Sequence, residues 1–155
     1  MAITPSGNSP YGTPVPLTIT LNGITSGSLA MSSAFACPSD AAGTYYDICD
    51  LRINLGAATA LGTAAPVYVQ ALCVAELDGT STPFLAASGG QIFPPSRSAN
   101  APYPASVTAQ ILDIYDLLLL PGATNIAIAI LNNLGITLPA SGVTATLYPR
   151  MGALG

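Results

Sequence analysis

The sequence predicts an all-β protein that folds as an antiparallel β-sandwich of jelly-roll-like or immunoglobulin-like type. Several segments alternate apolar and polar residues with a period of two, which is typical of strands that bury one face. Turn residues separate these segments, and no segment shows a helical repeat of about 3.6 residues. Roughly seven or eight short strands joined by turns favour two packed antiparallel sheets.

Residues 1–16 are predicted to form an extended arm in front of the sandwich. Such an arm is either a tail without fixed structure or a strap that becomes ordered on a partner. The sandwich is expected to be a single domain over residues 17–150, followed by a short tail at 151–155. The arm contains six residues that interrupt helices and central strands: Pro5, Gly7, Pro10, Gly12, Pro14 and Pro16.

The first strands are predicted over 17–22, 29–35 and 49–55, where large apolar residues alternate with small or polar ones. The pair Asn22 and Gly23 predicts a turn after the first of these strands. The alternation over 49–55 is the clearest in the chain. Alanine is dense directly after it, so a helix over 55–61 is the alternative there, although two glycines disfavour it.

Further strands are predicted over 67–77, 111–120, 126–131 and 143–148. The segment 79–109 is rich in Pro and Gly and is predicted to be a long loop insertion. Because this segment carries more aromatic residues than a linker needs, we expect it to pack on itself or on a neighbouring subunit. The aromatic residues of this loop include Phe84, Phe93 and Tyr103.

The chain is poor in charge, with three Arg, seven acidic residues, no Lys and no His, whereas about a quarter of the residues in soluble domains are charged. Without a basic surface, nucleic-acid binding is not expected. Without His or Lys, a base for a nucleophile and an imidazole metal site are both excluded. We therefore expect no enzyme, no cofactor and no metal. The low charge favours a subunit covered by its neighbours in an assembly over the alternative, a small secreted domain.

Carboxylates are the remaining candidates for chemistry. Asp47 and Asp50 are three residues apart on a predicted strand, as are Asp113 and Asp116. Because side chains alternate along a strand, the two members of each pair are expected on opposite faces. Asp50 and Arg52 share a face, so they either form a local ion pair or contact a neighbouring subunit.

The cysteines Cys37, Cys49 and Cys73 are odd in number and lack a CxxC spacing. This pattern favours buried thiols in a protein made in a reducing compartment, and a disulfide between Cys37 and Cys49 is the alternative. No membrane span is expected, because Gly, Pro and polar residues interrupt the apolar stretches. The N-terminus lacks the basic and apolar regions of a secretory signal.

The order of segments in the second half is distinctive. A strand and an apolar run end at Pro121 and Gly122, and a strand over 125–131 leads into Asn132-Asn133-Leu134-Gly135. The last strand finishes in Leu147-Tyr148-Pro149-Arg150. Together with segments 21–29, 45–55 and 66–77, this order resembles small structural proteins encoded among the head genes of tailed bacteriophages.

Proteins of that family are decoration, or cement, subunits: jelly-roll-like sandwiches on the outside of an icosahedral shell, often trimers, which clamp capsomers together. The resemblance covers about residues 17–150. It implies a non-enzymatic virion protein that is made in the host cytoplasm and stabilises the assembled capsid. The implied partners are the major capsid protein and copies of the chain itself as a homotrimer, without nucleic acid or membrane.

Partner contacts are expected from the arm and from the long loop. The residues expected to make them are Pro5, Pro10, Tyr11, Pro14, Phe84, Phe93, Arg97 and Tyr103. The alternative function is an adhesive or carbohydrate-binding sandwich of a phage tail, fibre or surface appendage. The candidates for a sugar site in that case are Tyr45, Tyr46, Asp47 and Asp50.

Overall fold

The computed structural model describes residues 11–63, 67–75, 98–104, 106–123 and 125–151. These residues contain nine strands and no helix, so the all-β prediction is confirmed. The strands are β1 (Val15–Pro16), β2 (Ser28–Met31), β3 (Phe35–Ala36), β4 (Ile48–Ala60), β5 (Val67–Ala75), β6 (Ser98–Tyr103), β7 (Thr108–Leu118), β8 (Asn125–Asn133) and β9 (Thr144–Arg150).

The strands form two antiparallel sheets that pack face to face. Sheet A has four strands in the order β1-β9-β4-β7, and sheet B has the order β2-β8-β5-β6 with β3 also paired to β8. Large aliphatic side chains from both inner faces fill the space between the sheets and are almost fully buried: Leu51, Ile53, Leu55, Leu112, Ile114, Ile126, Ile128 and Ile130. Among the described residues no helix is long and apolar enough to cross a membrane.

The three cysteines are free and buried between the sheets. The prediction of buried thiols is therefore confirmed, and the alternative disulfide between Cys37 and Cys49 is wrong. Burial raises the pKa of the Cys73 thiol to about 12. Burial also raises the pKa of Cys49. Because the thiolate is the reactive form, these side chains act as small apolar core residues.

The predicted strand over 17–22 is wrong, although its inward residues are placed as expected. The segment is extended but crosses from one sheet to the other. The amide of Leu17 donates to the carbonyl of Ala145 in sheet A, and the carbonyl of Thr18 accepts from Ser33, which lies between β2 and β3. Leu21 is buried and the turn at Asn22 and Gly23 is present. The alternation of apolar and polar residues therefore predicted which side chains are buried, but not whether the segment is a strand.

The predicted loop 79–109 is wrong over its last part. Residues Ser98–Tyr103 form β6, which pairs with β5 along its whole length, and β7 begins at Thr108. Pro102 is tolerated there because β6 is the outer strand of sheet B, with a partner on one side only among the described strands. Residues 76–97 lie outside the described part of the chain.

Part of the predicted arm joins sheet A. Tyr11 forms a bridge with Arg150, and β1 pairs with β9. The amide of Gly12 donates to the carbonyl of Pro149. Residues 11–16 therefore lie along the edge of the sandwich, where proline is tolerated, and residues 1–10 lie outside the described part of the chain.

The helix considered over 55–61 is wrong, because β4 continues through it to Ala60. Gly56 makes this course of the chain possible. It has a positive φ of 77°, lies at a shift of register between β4 and β7, and approaches Gly142 closely. A Cβ atom at residue 56 would lie 3.0 Å from the Gly142 carbonyl oxygen.

Gly56→Ala is expected to lower the free energy of unfolding by about 2 kcal/mol, because it adds a steric contact to the cost of a left-handed backbone. Gly43→Ala is the matched control. Gly43 has a φ of 83° but nothing within 4 Å of the added Cβ, so we expect a loss of about 1 kcal/mol. Urea denaturation measures both, and equal losses would show that the approach to Gly142 is unimportant.

Candidate binding site

Charge is distributed unequally between the two sheets. The strands of sheet B contain no charged residue. The strands of sheet A contain five, all on its outer face: Asp50, Arg52, Asp113, Asp116 and Arg150. Sheet A therefore carries all the charged groups of the described strands.

Arg52 and Asp113 form a two-pronged ion pair across β4 and β7. The Nε atom of Arg52 lies 2.8 Å from Oδ1 of Asp113, and a terminal nitrogen lies 2.9 Å from Oδ2. The two residues are direct partners in the β-ladder, so the backbone register sets this geometry. The guanidinium also lies 5.9 Å from the ring centre of Tyr148.

Asp50 is the most buried charged residue among those described, at 8% exposure. Its carboxylate accepts hydrogen bonds from the Tyr11 hydroxyl at 2.9 Å, the Asp116 amide at 3.1 Å and the Arg150 Nε at 3.4 Å. Asp50 and Arg52 therefore share a face as predicted, but each pairs with a distant residue and not with the other. The hydrogen bond to this carboxylate raises the pKa of the Tyr11 hydroxyl.

The prediction that Asp113 and Asp116 lie on opposite faces is wrong. The register of β7 against β4 shifts between Ile114 and Leu117, and Asp116 has a positive φ of 59°. This β-bulge adds one residue to β7 and interrupts the alternation of its side chains. Both carboxylates consequently lie on the outer face, and Asp116 forms an ion pair with Arg150.

Three tyrosines surround a pocket between these ion pairs, which we call the tyrosine pocket. Its volume is about 230 Å³. Tyr11 and Tyr115 are 43% and 62% exposed, respectively. The tyrosine pocket is lined by Tyr11, Asp50, Leu51, Arg52, Asp113, Tyr115 and Tyr148. It combines flat apolar rings with polar groups that are already paired.

A second recess of about 560 Å³ lies next to the tyrosine pocket, between β6 and β7. The two cavities share Asp113 and Tyr115. The Tyr103 hydroxyl joins the sheets here by donating to the carbonyl of Asp113 at 3.0 Å. Burial raises the pKa of this hydroxyl from its ordinary value of 10.0 to about 12.

This pKa predicts a loss of stability in alkali. A raised pKa means that the folded state favours the neutral phenol, so its contribution is complete below pH 10 and is lost as the pH rises towards 12. Tyr103→Phe is expected to cost about 1 kcal/mol at pH 8. The difference from the natural protein should shrink between pH 10 and pH 12. Urea denaturation across this range measures it, and a constant difference would contradict the prediction.

Three of the eight residues expected to contact partners lie in the described part of the chain. Tyr11 lines the tyrosine pocket, Tyr103 borders the second recess, and Pro14 is exposed beside β1. The others lie outside the described residues: Pro5, Pro10, Phe84, Phe93 and Arg97.

Of the candidates for a sugar site, only Asp50 lines the tyrosine pocket. Tyr45 is exposed, and Tyr46 packs against the core beside Gly12. Sequence reasoning missed Tyr115 and Tyr148. The spacing in the sequence could have found both. Tyr148 lies two residues before Arg150 and Tyr115 lies two residues after Asp113, so each tyrosine is expected on the same face of its strand as the charged residue.

The part of the chain that the structure describes contains no group of three or more Cys, Asp or Glu side chains that could hold a metal ion. The polar groups of the tyrosine pocket instead bind one another, which suits recognition of an uncharged ligand. Comparison of the chain with protein-family models, with curated proteins and with solved structures finds no match.

Proposed function

We propose that this protein is a non-enzymatic subunit of a bacteriophage virion that binds the assembled capsid and stabilises it, as a decoration or cement protein does. The observation that carries the proposal is the absence of charge from the described strands of sheet B. Burying charged groups in an interface is costly, and a surface without them avoids that cost. Such a surface suits a subunit that is covered by neighbours in an assembly.

The outer face of sheet B has the side chains that this proposal needs. Ala129 and Leu131 lie at its centre on β8 and are already covered, at 0% and 5% exposure, whereas Leu29 and Leu72 pack beside them from the neighbouring strands and are half-buried. The buried amide of Gln70 donates to the Ser98 hydroxyl at 2.8 Å. Leu29 and Leu72 are therefore the apolar groups of this cluster that a partner could still cover, and the polar group within the face is already hydrogen-bonded.

The proposed mechanism is burial of the half-buried apolar groups of this face, of the arm and of the part of the 79–109 segment before β6, against the major capsid protein and against other copies of the chain in a homotrimer. Each contact replaces water on two uncharged surfaces, which contributes about 25 cal/mol for each Å² of apolar area. Several such contacts across the joint between capsomers would hold them together against the internal pressure of packaged DNA.

Co-sedimentation with expanded phage capsids tests the proposal, and light scattering tests the trimer. The natural chain is expected to sediment with the shells and to have three times its monomer mass. Leu72→Glu, which introduces a charge on the outer face of sheet B, should weaken capsid binding at least tenfold. Leu118→Glu is the matched control, because Leu118 is 52% exposed on sheet A, and it should bind as the natural chain does.

Two results would count against this function. If the natural chain binds no capsid, the proposed function is wrong. If Leu72→Glu binds as well as Leu118→Glu, sheet B is not the face that meets the shell. Circular dichroism and thermal unfolding of both variants show whether the fold is kept.

A second candidate function is supported by the tyrosine pocket. Exposed tyrosine rings beside carboxylate and guanidinium groups are also suited to a sugar, which has apolar faces and many hydroxyls. This observation favours the carbohydrate-binding alternative. Glycan-array binding by the isolated protein, without affinity for any capsid, would replace the first proposal by this one.

A further inference from the structure

We infer that the tyrosine pocket binds residues 1–10 of a second copy of this chain, so that neighbouring subunits exchange their N-terminal segments. The inference rests on the proposed function in one respect: it requires copies to meet in an assembly. It deepens that function by naming a contact between copies and the residues that make it.

The chemistry of the tyrosine pocket favours an uncharged, proline-rich ligand. Tyr115 and Tyr11 are 62% and 43% exposed, and Tyr148 adds a third ring. The charged groups beside them are already paired, Arg52 with Asp113 and Asp50 with three donors. Grooves lined by aromatic rings are the usual sites for proline-rich segments, whose polyproline conformation costs little entropy to bind.

Residues 1–10 have the composition of such a ligand. They contain Pro5 and Pro10 and no charged side chain. They also directly precede Tyr11, which is itself part of the pocket wall. In a polyproline conformation, ten residues span about 30 Å, which is enough to reach a neighbouring subunit.

The direction of the backbone favours exchange over binding within one chain. Tyr11 is opposite Arg150 and Val15 is opposite Leu147, so residues 11–16 run antiparallel to β9. Followed towards the N-terminus, this backbone points past the end of β9. The tyrosine pocket lies in the other direction, towards Arg52, which is opposite Thr146. A segment that enters the pocket therefore comes most simply from another copy, and identical exchanges can close a ring.

Sedimentation equilibrium of the full-length chain tests the exchange. Tyr115→Ala and the double variant Pro5→Ala/Pro10→Ala are each expected to weaken self-association at least tenfold. Because both remove the same contact, combining them should weaken it little further. Tyr45→Ala is the matched control, since Tyr45 is 46% exposed but does not line the pocket, and it should associate as the natural chain does.

A synthetic peptide of residues 1–10 provides a second measurement. It is expected to inhibit self-association of the natural chain, and the peptide with both prolines replaced by alanine should not. The inference is overturned if Tyr115→Ala associates like the natural chain, or if the peptide has no effect. It is also overturned if Tyr115→Ala abolishes glycan binding while self-association is unchanged, which would assign the pocket to a sugar.

Capsid binding by the same variants separates this inference from the proposed function. Capsid binding by the natural chain, together with unchanged association of Tyr115→Ala, would refute the exchange alone. Exchange between copies without capsid binding by the natural chain would refute the proposed function alone.

Discussion

Asp50→Ala is expected to lower the free energy of unfolding by about 3 kcal/mol, because it removes one member of a largely buried ion pair. The Asp50 side chain is 12% exposed and that of Arg150 is 21% exposed. The substitution also leaves the Tyr11 hydroxyl and the Asp116 amide without the carboxylate that accepts their hydrogen bonds. Urea denaturation at neutral pH measures the loss.

Asp113→Ala is the matched control for this prediction. It also removes an aspartate from an ion pair on the same face, but the Arg52 side chain is 47% exposed. Exposed pairs contribute little because water screens them, so we expect a loss below about 1 kcal/mol. Equal losses for the two variants would show that burial of Asp50 does not determine its contribution.

Asp50→Ala should also change the titration of Tyr11. The bond to the carboxylate raises the pKa of this hydroxyl, so the substitution should lower it towards the ordinary tyrosine value. Absorbance titration of the tyrosines, with a Tyr11→Phe chain to identify the signal, measures this change. A Tyr11 pKa that does not move would mean that the hydrogen bond to Asp50 is not what raises it.

The fold class and the faces of the long strands could be predicted because alternation is a local property. The clearest segment placed Asp50 and Arg52 on one face of β4, and the structure confirms that. Their partners could not be predicted. Arg52 pairs with Asp113, 61 residues later, and Asp50 with Arg150, 100 residues later. Such pairs depend on which strands become neighbours and on their register. The alternation within one strand gives no information about either.

Three local features explain the wrong predictions at Asp116, at β6 and over 17–22. The bulge at Asp116 depends on one residue with a positive φ. A glycine at this position would have indicated a positive φ in the sequence, whereas an aspartate does not. Pro102 made β6 look like a loop, because proline excludes a central strand but not an outer one. The segment over 17–22 alternates like a strand because its apolar residues face the core, yet none of its residues belongs to a strand.

The sequence motif Asn132-Asn133-Leu134-Gly135 is one of the segments that carry the resemblance to decoration proteins, and the structure explains it as part of the fold. Asn132 is 2% exposed at the end of β8. Its amide nitrogen donates to the carbonyls of Ile24 and Ile136 at 3.0 and 2.9 Å, and its amide oxygen accepts from Leu134 at 3.1 Å. One side chain thus fastens two loops to the end of sheet B, a role that any sandwich with this topology could use.

Asn132→Ala is expected to lower the free energy of unfolding by about 2 kcal/mol, because the Leu134 amide and the Ile136 carbonyl lose the side chain that bonds them, and the Ile24 carbonyl keeps only its bond from the Leu138 amide. Asn132→Asp should be at least as destabilising at neutral pH. It keeps the shape of the side chain but points carboxylate oxygens at the carbonyls of Ile24 and Ile136. A buried charge facing two carbonyl dipoles is unfavourable, so the folded state would favour the protonated acid.

The pH dependence of Asn132→Asp separates this explanation from simple loss of packing. Since folding raises the pKa of the introduced carboxyl, its protonated form should recover stability as the pH falls and lose it again as the pH rises. Asn132→Ala has no such group and should not recover. Asn133→Asp, on the next residue of β8, is half-buried and should cost less than about 1 kcal/mol. If Asn132→Asp and Asn132→Ala respond identically to pH, the two carbonyls do not set the cost at this position.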